Sequence, residues 1–391
     1  MNNKVLKFLI RLALLLASLL ILYALLVCSD IPFIKKWRTI YIETAMSTMN
    51  HQWLATELIP MPIINEVLAE RDKALAAQAM MESTWNDNNT YTEKTSNLNA
   101  NSDESDFFSV FDEIDRTSFQ EYIFEHPEAL ENGFSSLLID ESGLDKSGTS
   151  IKTTAGDEIL TIDAANGILI IRINGSGYCG KLAIIKDSSK VKIAVSSKIG
   201  SSGETVKEIA DDNSAILAVN ASGFSDADGI GNGGDVLGLL VSNGVLVSGP
   251  AGNGYLTIGF GADDRLYVGH SKEAALFRDA IEFTPAEVIN GKNVTDGSSG
   301  FGVQPRTSIG QTVDGDVLLL TVDGRQVGYS IGCTVGDCAD IMLRYGAEQA
   351  CNVDGGSSTV MVYRGNEITR PANGIDFGRY VPNAFIVEYS A

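Results

Sequence analysis

A series of short β-type runs limits the possible folds of this chain more than any other feature. Glycine, asparagine, aspartate and serine separate the runs at turn spacing. The runs comprise residues 159–163, 168–173, 182–185, 191–195, 215–219, 236–241, 255–260, 266–268 and 317–322. Two stretches have helical character instead, about 204–211 and 335–345, and Gly346 is well placed to end the second. Many strands with two main helices predict an α+β domain built on a mixed multi-stranded sheet over residues 151–391.

The start of the chain has a different composition. Residues 12–27 form an uninterrupted apolar run, and Lys4, Lys7 and Arg11 precede it. If Arg11 snorkels to the membrane surface, the run reaches the roughly twenty residues that a bilayer span requires. A cleaved signal peptide is the competing interpretation, but no small-residue cleavage pattern follows the run. We therefore expect an uncleaved signal anchor, with a transmembrane helix within residues 1–30.

Basic residues do not decide the orientation of this helix. Lys35, Lys36 and Arg38 on its far side match the three basic residues on its near side, so the positive-inside rule gives no preference. Trp37, next to these basic residues, fits an interfacial anchor. Residues 31–81 are therefore interpreted as a juxtamembrane helical segment.

The acidic charge of the chain is largely local. The net charge is −21, which argues against nucleic-acid binding because that function needs a basic surface. Between residues 82 and 145 there are 16 acidic residues and only Lys94 and Arg116 as basic residues. This stretch is also rich in asparagine, serine and threonine up to Ser105. Residues 82–150 are thus expected to form a solvated acidic linker that holds the domain away from the membrane.

The cysteines and acidic loops give no strong signal for a metal. Five cysteines do not make a disulfide scaffold in a chain of this length, although one bridge among Cys179, Cys333, Cys338 and Cys351 is plausible outside the cell. No CxxC spacing supports a zinc site. The loop at residues 226–235 is acidic but fails the EF-hand pattern. We expect no cofactor. Binding of a divalent cation such as calcium by this loop is the alternative.

The segment ACNVDGGSSTVM, residues 350–361, carries the strongest functional signal. An apolar run leads into Asp354, and a glycine pair, two serines and a second apolar run follow. Glycines after a strand allow unusual backbone conformations and a close approach by a ligand. Consecutive N–H groups in such a turn can bind an anion. A plain Asp-Gly hairpin is the structural alternative.

Other motifs stand around this segment in a characteristic order. They are AVNASGF at 218–224, PRTSIG at 305–310, VLLLTVDGR at 317–325, the helical stretch 335–346, and GRYVPNAFIV at 378–387. In order and spacing, residues 159–387 resemble the phosphodiester glycosidase family, which includes the lysosomal uncovering enzyme and bacterial exported proteins. The resemblance implies an exported hydrolase, and it supports placing the C-terminal domain outside the cell membrane.

The resemblance also implies a site made of carboxylate, amide and guanidinium groups. Asp354 would act as a base or charge stabiliser, and Asn220 would hold sugar hydroxyls or the attacking water. Arg306 would bind the phosphate bidentately. The further substrate-binding candidates are Thr307, Gly355, Gly356, Ser357, Ser358 and Arg379. His270 is the single histidine of the domain, so a Ser-His-Asp hydrolase is not expected.

Two departures from the family pattern lie beside these residues. Ala221, Ser222 and Gly223 separate Asn220 from Phe224, where relatives commonly have a Gly-Phe-Phe sequence directly after the asparagine. Only two glycines follow Asp354, where many relatives have three. Both departures bear on substrate identity more than on fold.

The motifs together predict a membrane-anchored extracellular hydrolase. Its substrate would be a sugar-1-phosphodiester of the N-acetylglucosamine-1-phosphate type, in a surface glycopolymer or its precursor. A non-catalytic exopolysaccharide-binding or assembly protein is the first alternative, and a glycosyl-phosphate transferase is the second, because both would use the same cleft. The expected partners are the glycopolymer substrate and the membrane.

Overall fold

The computed structural model describes residues 3–48, 51–85, 98–144, 148–226, 231–252, 254–270, 272–295, 297 and 300–390. The chain forms two compact units. The first comprises Met1–Asp72 and Gly300–Gly302, and the second comprises Lys73–Ser299 and Val303–Ala391.

The described part of the first unit contains helices. Its helices are α1 (Asn3–Cys28), α2 (Pro32–Met46), α3 (Trp53–Thr56) and the larger part of α4 (Met61–Gln78). The helix at Lys4–Cys28 is long and apolar enough to cross a membrane, a property that it shares with signal sequences. The later helices pack with the end of α1 in one apolar cluster, made of Val27, Ile42, Ala45, Ala55, Ile59, Ile64 and Val67.

The predicted acidic linker is folded where the structure describes it, at residues 98–144. It contains α5 (Glu104–Val110) and α6 (Arg116–Glu125). Phe107, Phe111 and Phe119 are fully buried against the sheet of the second unit. Some of the acidic residues serve as helix caps, since the Asp103 and Asp115 side chains accept backbone N–H groups at the two helix starts. The average composition of this segment indicated a solvated linker, because an average does not reveal a few large apolar residues that stand at helical spacing.

The described residues of the second unit form three antiparallel sheets. The nine-stranded sheet has the order β1 (Leu138–Ile139), β2 (Glu158–Asp163), β3 (Ile168–Gly175), β4 (Tyr178–Ile185), β15 (Val317–Val322), β14 (Arg306–Thr312), β16 (Ala347–Asn352), β12 (Ala286–Ile289) and β13 (Lys292–Asn293). One five-stranded sheet has the order β10 (Leu266–Gly269), β9 (Leu256–Phe260), β11 (Asp279–Phe283), β7 (Leu240–Ser242) and β8 (Val245–Ser248). The other has the order β18 (Asn366–Glu367), β17 (Met361–Tyr363), β6 (Ala215–Asn220), β19 (Asn383–Glu388) and β5 (Val191–Val195).

The α+β class is therefore confirmed, but the strands form three sheets instead of one mixed sheet. The main core lies between the sheets and takes side chains from all three, such as Leu319, Ile258 and Val219. Helix α8 (Val335–Arg344), with α5 and α6, covers the other face of the nine-stranded sheet. Helix α7 (Val206–Asp212) covers the outer face of the β6-containing sheet.

Both predicted helices of this unit are present and begin with capping boxes. In α8, the Asp337 carboxylate accepts hydrogen bonds from the Thr334 N–H at 2.8 Å and the Thr334 hydroxyl at 2.6 Å. Asp337 therefore stabilises the start of a helix. Gly346 follows α8 with a φ of 77°, a left-handed conformation that glycine adopts without strain.

Candidate active site

Two strand ends from different sheets meet at the centre of the candidate site. Each strand follows a main helix, β6 after α7 and β16 after α8. β6 ends at Asn220, and Asp354 lies two residues beyond the end of β16. The Asn220 side-chain Nδ2 donates to the Asp354 carbonyl oxygen at 2.6 Å. The Asp354 N–H in turn donates to the Ala221 carbonyl oxygen at 3.1 Å.

The Asn220 amide is fully engaged by the protein. Besides donating to Asp354, its Oδ1 accepts the Thr307 hydroxyl at 2.8 Å and the Val360 N–H at 3.2 Å. Asn220 and Thr307 are both completely buried. These contacts connect β6, β14 and the two ends of the Asp354 turn. Asn220 and Thr307 thus hold the turn in place, and their polar groups point into the protein.

The turn that follows Asp354 is held by backbone hydrogen bonds, one to Pro305 and one within the turn. Gly356 has a φ of 63° and its N–H donates to the Pro305 carbonyl oxygen at 2.9 Å. The Ser358 N–H donates to the Gly355 carbonyl oxygen at 3.2 Å. A Cβ atom on Gly355 would lie 2.8 Å from the Pro305 oxygen, so a side chain does not fit there without movement. Two of the N–H groups predicted to bind phosphate are therefore used to shape the turn.

Asp354 is half-buried as a residue, and the environment of its carboxylate favours the neutral form. Burial raises its pKa to about 6. A hydrogen bond from Ser358, the positive charge of Arg379 and the Gly355 N–H act in the opposite direction. A carboxylate whose pKa lies near 6 can accept a proton from water at neutral pH more readily than an ordinary aspartate.

Arg379 lies near Asp354 and is held by a second carboxylate. Its guanidinium makes a bidentate pair with Asp226, at 2.5 and 2.8 Å, and Nη2 also donates to the Gly231 carbonyl oxygen at 2.9 Å. The guanidinium stands over the Phe224 ring at 4.8 Å. The Arg379 hydrogen bond lowers the pKa of Asp226. Asp226 thereby fixes the cation that faces Asp354.

Arg325, within the VLLLTVDGR motif, is a site residue that was not predicted as one. It is exposed and has a φ of 60°. Gln304 accepts from its Nη2 at 2.7 Å, and the Ser357 hydroxyl accepts from its Nη1 at 3.3 Å. Nη2 would lie 3.2 Å from a Cβ atom on Gly356, so the guanidinium covers the Asp354 turn. Its position directly after an Asp-Gly turn at the end of β15 was the available signal.

The loop that presents Arg325 is anchored by Asp323. This carboxylate is buried and accepts the Tyr329 hydroxyl at 2.8 Å and the Arg370 N–H at 2.9 Å. The loop at Asp323 is thus held from both sides. Such anchoring limits the freedom of Arg325 near the Asp354 turn.

Arg306, the predicted phosphate ligand, faces the opposite side of the nine-stranded sheet from Thr307. In the register of β14, Arg306 lies opposite Val322 and Thr307 opposite Thr321, and adjacent strand residues point to opposite faces. Arg306 is only 4% exposed, and its Nε donates to the Cys333 carbonyl oxygen at 3.4 Å. Burial raises the pKa of nearby Glu287, and the positive charge of Arg306 offsets a part of that rise. Arg306 is thus a buried cation, and its charge also lowers the pKa of Arg325.

The cysteines, the possible metal ligands and His270 were also considered in the sequence. All five cysteines are free thiols, and the Sγ atoms of Cys333 and Cys338 lie 3.4 Å apart. Across the described residues, no three His, Cys, Asp or Glu side chains are grouped as a metal site. Residues 227–230 of the acidic loop lie outside the described residues. His270 is exposed and its Nδ1 lies 3.1 Å from the Ala79 carbonyl oxygen.

Comparison with known proteins gives related sequences and structures. SPβ prophage-derived uncharacterized protein YomE of Bacillus subtilis strain 168 is 27% identical over 208 residues. The match spans 48% of this chain but only 30% of that protein. The zebrafish N-acetylglucosamine-1-phosphodiester α-N-acetylglucosaminidase catalytic domain, auto-inhibited by its pro-peptide, has 20% identity and a TM-score of 0.47, covering 57% of this chain and 82% of that one.

Two further solved structures are similar at lower identity. A hypothetical protein from Synechocystis has 17% identity and a TM-score of 0.44, with 61% of this chain and 65% of that one covered. A putative exported protein from Burkholderia pseudomallei K96243 has 16% identity and a TM-score of 0.42, with 54% and 74% covered.

The sequence pattern of the phosphodiester glycosidase family matches residues 213–388. This match starts later than the resemblance noted from residue 159, but it includes both strand ends and all three arginines described above. The part of this chain that carries the candidate site, residues 213–388, thus matches the phosphodiester glycosidase family.

Proposed function

We propose that the protein hydrolyses a sugar-1-phosphodiester of the N-acetylglucosamine-1-phosphate type, with Asp354 as the central catalytic group. The observation that carries this proposal is the position of Asp354. It is a half-buried residue whose carboxylate has a raised pKa, on a hydrogen-bonded turn between Arg325 and Arg379. The family match supports the reaction class, and the geometry supports the roles that we propose for individual residues.

Two arginines would hold the phosphate on either side of Asp354. A guanidinium binds phosphate oxygens through two parallel N–H groups. Arg325 is the more accessible of the two, because it is exposed and its present partners are the neutral side chains of Gln304 and Ser357. Arg379 is already paired with Asp226, so it would contribute mainly its charge. We assign Arg306 a structural role instead.

The reaction breaks the bond between the anomeric carbon and the phosphate oxygen. Water attacks the anomeric carbon, its proton passes to the Asp354 carboxylate, and the electron pair of the broken bond stays on the phosphate. That proton then leaves Asp354 for solvent or the released phosphomonoester. The leaving group is a stable phosphate, so it needs little protonation, and no second acidic group has to act on it. The products are free sugar and a phosphomonoester.

Asn220 and Thr307 would act as positioning residues for this reaction. Asn220 holds the Asp354 carbonyl and, through Thr307 and Val360, both flanks of the turn. A carboxylate displaced by a fraction of an ångström loses alignment with the attacking water. The sugar itself would then be held by other groups around the turn.

The test is release of free sugar from α-N-acetylglucosamine-1-phosphodiesters by the full-length chain in detergent. The full chain is required because the segment containing Phe107 and Phe119 is part of the core. We expect release by the native protein, loss of turnover in Asp354→Asn, and a raised KM in Arg325→Ala. Arg172→Ala, which removes an arginine paired with Glu158, is the matched control and should retain activity.

The same experiment separates the alternatives. Binding of the phosphodiester by calorimetry without any release would support an exopolysaccharide-binding protein. Release that depends on an added sugar acceptor would support a transferase. Equal activity of native protein and Asp354→Asn would refute the assignment of Asp354.

We also propose that this unit works outside the cell, on a surface glycopolymer or its precursor. One N-terminal helix of membrane-spanning length supports an anchored protein. Protease treatment of intact cells tests the orientation. An extracellular unit should be digested without lysis, whereas protection until lysis would contradict this location.

A further inference from the structure

The N-terminal apolar helix is built into a folded helical unit. Val27 of α1 is buried with residues of the helices that follow, including Ile42 and Ile64. The Tyr23 hydroxyl donates to the Leu58 carbonyl oxygen at 2.8 Å. Nη1 of Arg38 donates to the Ser29 carbonyl oxygen at 2.8 Å, just beyond the end of α1. Removal of α1 as a signal peptide would leave these groups without their partners.

Helix α2 carries an exposed aromatic stripe directly after α1. Phe33, Trp37 and Tyr41 are spaced by four residues, which places them on one face of a helix. Phe33 is 71% exposed and Trp37 is 54% exposed, and their ring centroids lie 6.5 Å apart. Lys36 is exposed between them in sequence. The buried residues of α2, Ile42 and Ala45, belong to the apolar cluster of this unit.

A second exposed apolar group lies on the segment that follows α2. Trp53 is 55% exposed, and Leu58 is exposed beside it. The hydroxyls of Tyr41 and Tyr23 bind the carbonyl oxygens of Leu54 and Leu58, so they attach this segment to α2 and to α1. Tyr23 lies about 7 Å before the end of α1, at 1.5 Å per residue. The segment is therefore level with the last turns of α1.

These positions match the interfacial region of a membrane crossed by α1. Tryptophan and tyrosine concentrate where the hydrocarbon meets the headgroups. Helices with an apolar aromatic face and flanking lysine or arginine lie in that plane and attract anionic lipids. We propose that α1 remains in the mature protein and that α2 and α3 lie in the headgroup layer of the same membrane, with Phe33, Trp37 and Trp53 as anchors. This inference does not depend on the proposed enzymatic activity.

The three tryptophans of the chain provide the test. Full-length double variants retain one tryptophan each: Trp53→Phe with Trp85→Phe keeps Trp37, Trp37→Phe with Trp85→Phe keeps Trp53, and Trp37→Phe with Trp53→Phe keeps Trp85 as the reference. The indole of Trp85 donates to the Leu266 carbonyl oxygen in the second unit. Each variant is reconstituted in phosphatidylcholine–phosphatidylglycerol vesicles with and without brominated acyl chains.

Brominated lipids quench fluorescence only on contact. We expect quenching of Trp37 and Trp53 well beyond that of Trp85, and an intact mass that includes residues 1–28. The proposal is overturned if Trp37 and Trp53 are quenched no more than Trp85, as when a second copy of the chain covers them. It is also overturned if the mature chain begins after residue 28. Far-ultraviolet circular dichroism of each variant verifies that the helices are retained.

Discussion

Asn220 and Asp354 are 134 positions apart in the chain, yet the side-chain amide of the first holds the backbone of the second with a 2.6 Å hydrogen bond. A reciprocal backbone bond, from the Asp354 N–H to the Ala221 carbonyl oxygen, closes the contact. The candidate catalytic carboxylate therefore depends on the junction of two sheets.

Replacement of Asn220 by alanine should destabilise the second unit. It would leave the Thr307 hydroxyl, the Val360 N–H and the Asp354 carbonyl without a partner, and an unsatisfied buried group costs about 1–3 kcal/mol. We expect a loss of about 2–4 kcal/mol in the free energy of unfolding, measured by denaturant titration. Asn213→Ala, which removes a single exposed side chain bonded to Ile209, is the control. An Asn220→Ala protein as stable as this control would favour a direct sugar contact.

The activity should fall in acid as Asp354 is protonated. Its pKa is about 6, and the base must be ionised, so kcat/KM is expected to decrease below pH 6. The charge of Arg379 lowers this pKa, so Arg379→Gln should move the acidic limb to higher pH. A pH–rate profile of both proteins measures the shift. An unchanged limb in Arg379→Gln would show that another group controls it.

Removal of the Asp354 charge should stabilise the protein at neutral pH. Because the folded pKa is raised from 3.8 to about 6, the native state holds the proton more tightly and stability falls as pH rises through this interval. Asp354→Asn should therefore unfold at a higher temperature at pH 7.5, with a smaller gain at pH 4. Asp226→Asn is the matched comparison and should lower the unfolding temperature at pH 7.5. Arg379 lowers the pKa of Asp226, so the ionised form of this side chain stabilises the folded protein. Destabilisation by both substitutions would contradict the burial argument.

Glu287 should make the protein sensitive to alkali. It is fully buried, its Oε1 accepts the Ser308 hydroxyl at 2.6 Å, and burial raises its pKa from 4.5 to about 8. Between these two pKa values the folded state keeps the proton that the unfolded state has released, so stability falls as the pH rises, and we expect a loss of about 3 kcal/mol between pH 6 and pH 9. Glu287→Gln should remove this loss in thermal unfolding experiments, whereas Glu82→Gln, at an exposed position, should not.

Arg306 and Arg325 should differ in what their loss affects. Arg306→Ala removes a buried cation that faces Glu287, so the main expected effect is a lower unfolding temperature. Arg325→Ala removes an exposed guanidinium beside the Asp354 turn, so the unfolding temperature should hold while KM rises. Parallel thermal scans and steady-state kinetics measure both properties. If Arg306→Ala raised KM and Arg325→Ala lowered the unfolding temperature instead, phosphate binding would be assigned to Arg306.

Local sequence patterns predicted much of the second unit. The run at 317–322 was identified with the same bounds that it has as β15, and the helix predicted at 335–345 is α8, one residue shorter. Thr334 and Asp337 form the capping box at the start of this helix, and such a contact involves only residues three positions apart. Asp354 was singled out because glycines directly after a strand signal an unusual turn.

Strand geometry separates the side chains of Arg306 and Thr307. Residues 306–312 form β14, and neighbouring strand residues face opposite sides of a sheet. Arg306 and Thr307 could therefore not both enter one cleft by extending straight from the strand. The sequence pattern did not predict a strand at residues 306–312, so only the structure shows that these two side chains face opposite sides of a sheet.

The sequence by itself determined the elements, because helix caps, turn glycines and apolar periodicity act over a few residues. It determined the apolar helix at the N-terminus and the strand-to-turn geometry around Asp354. Only the tertiary structure decided which side chains surround that carboxylate. The pairing of Arg379 with Asp226 joins residues 153 positions apart, and the burial of Phe107 depends on a sheet to pack against. Such contacts, and the pKa that burial gives Asp354, arise from packing between distant segments, which no local pattern encodes.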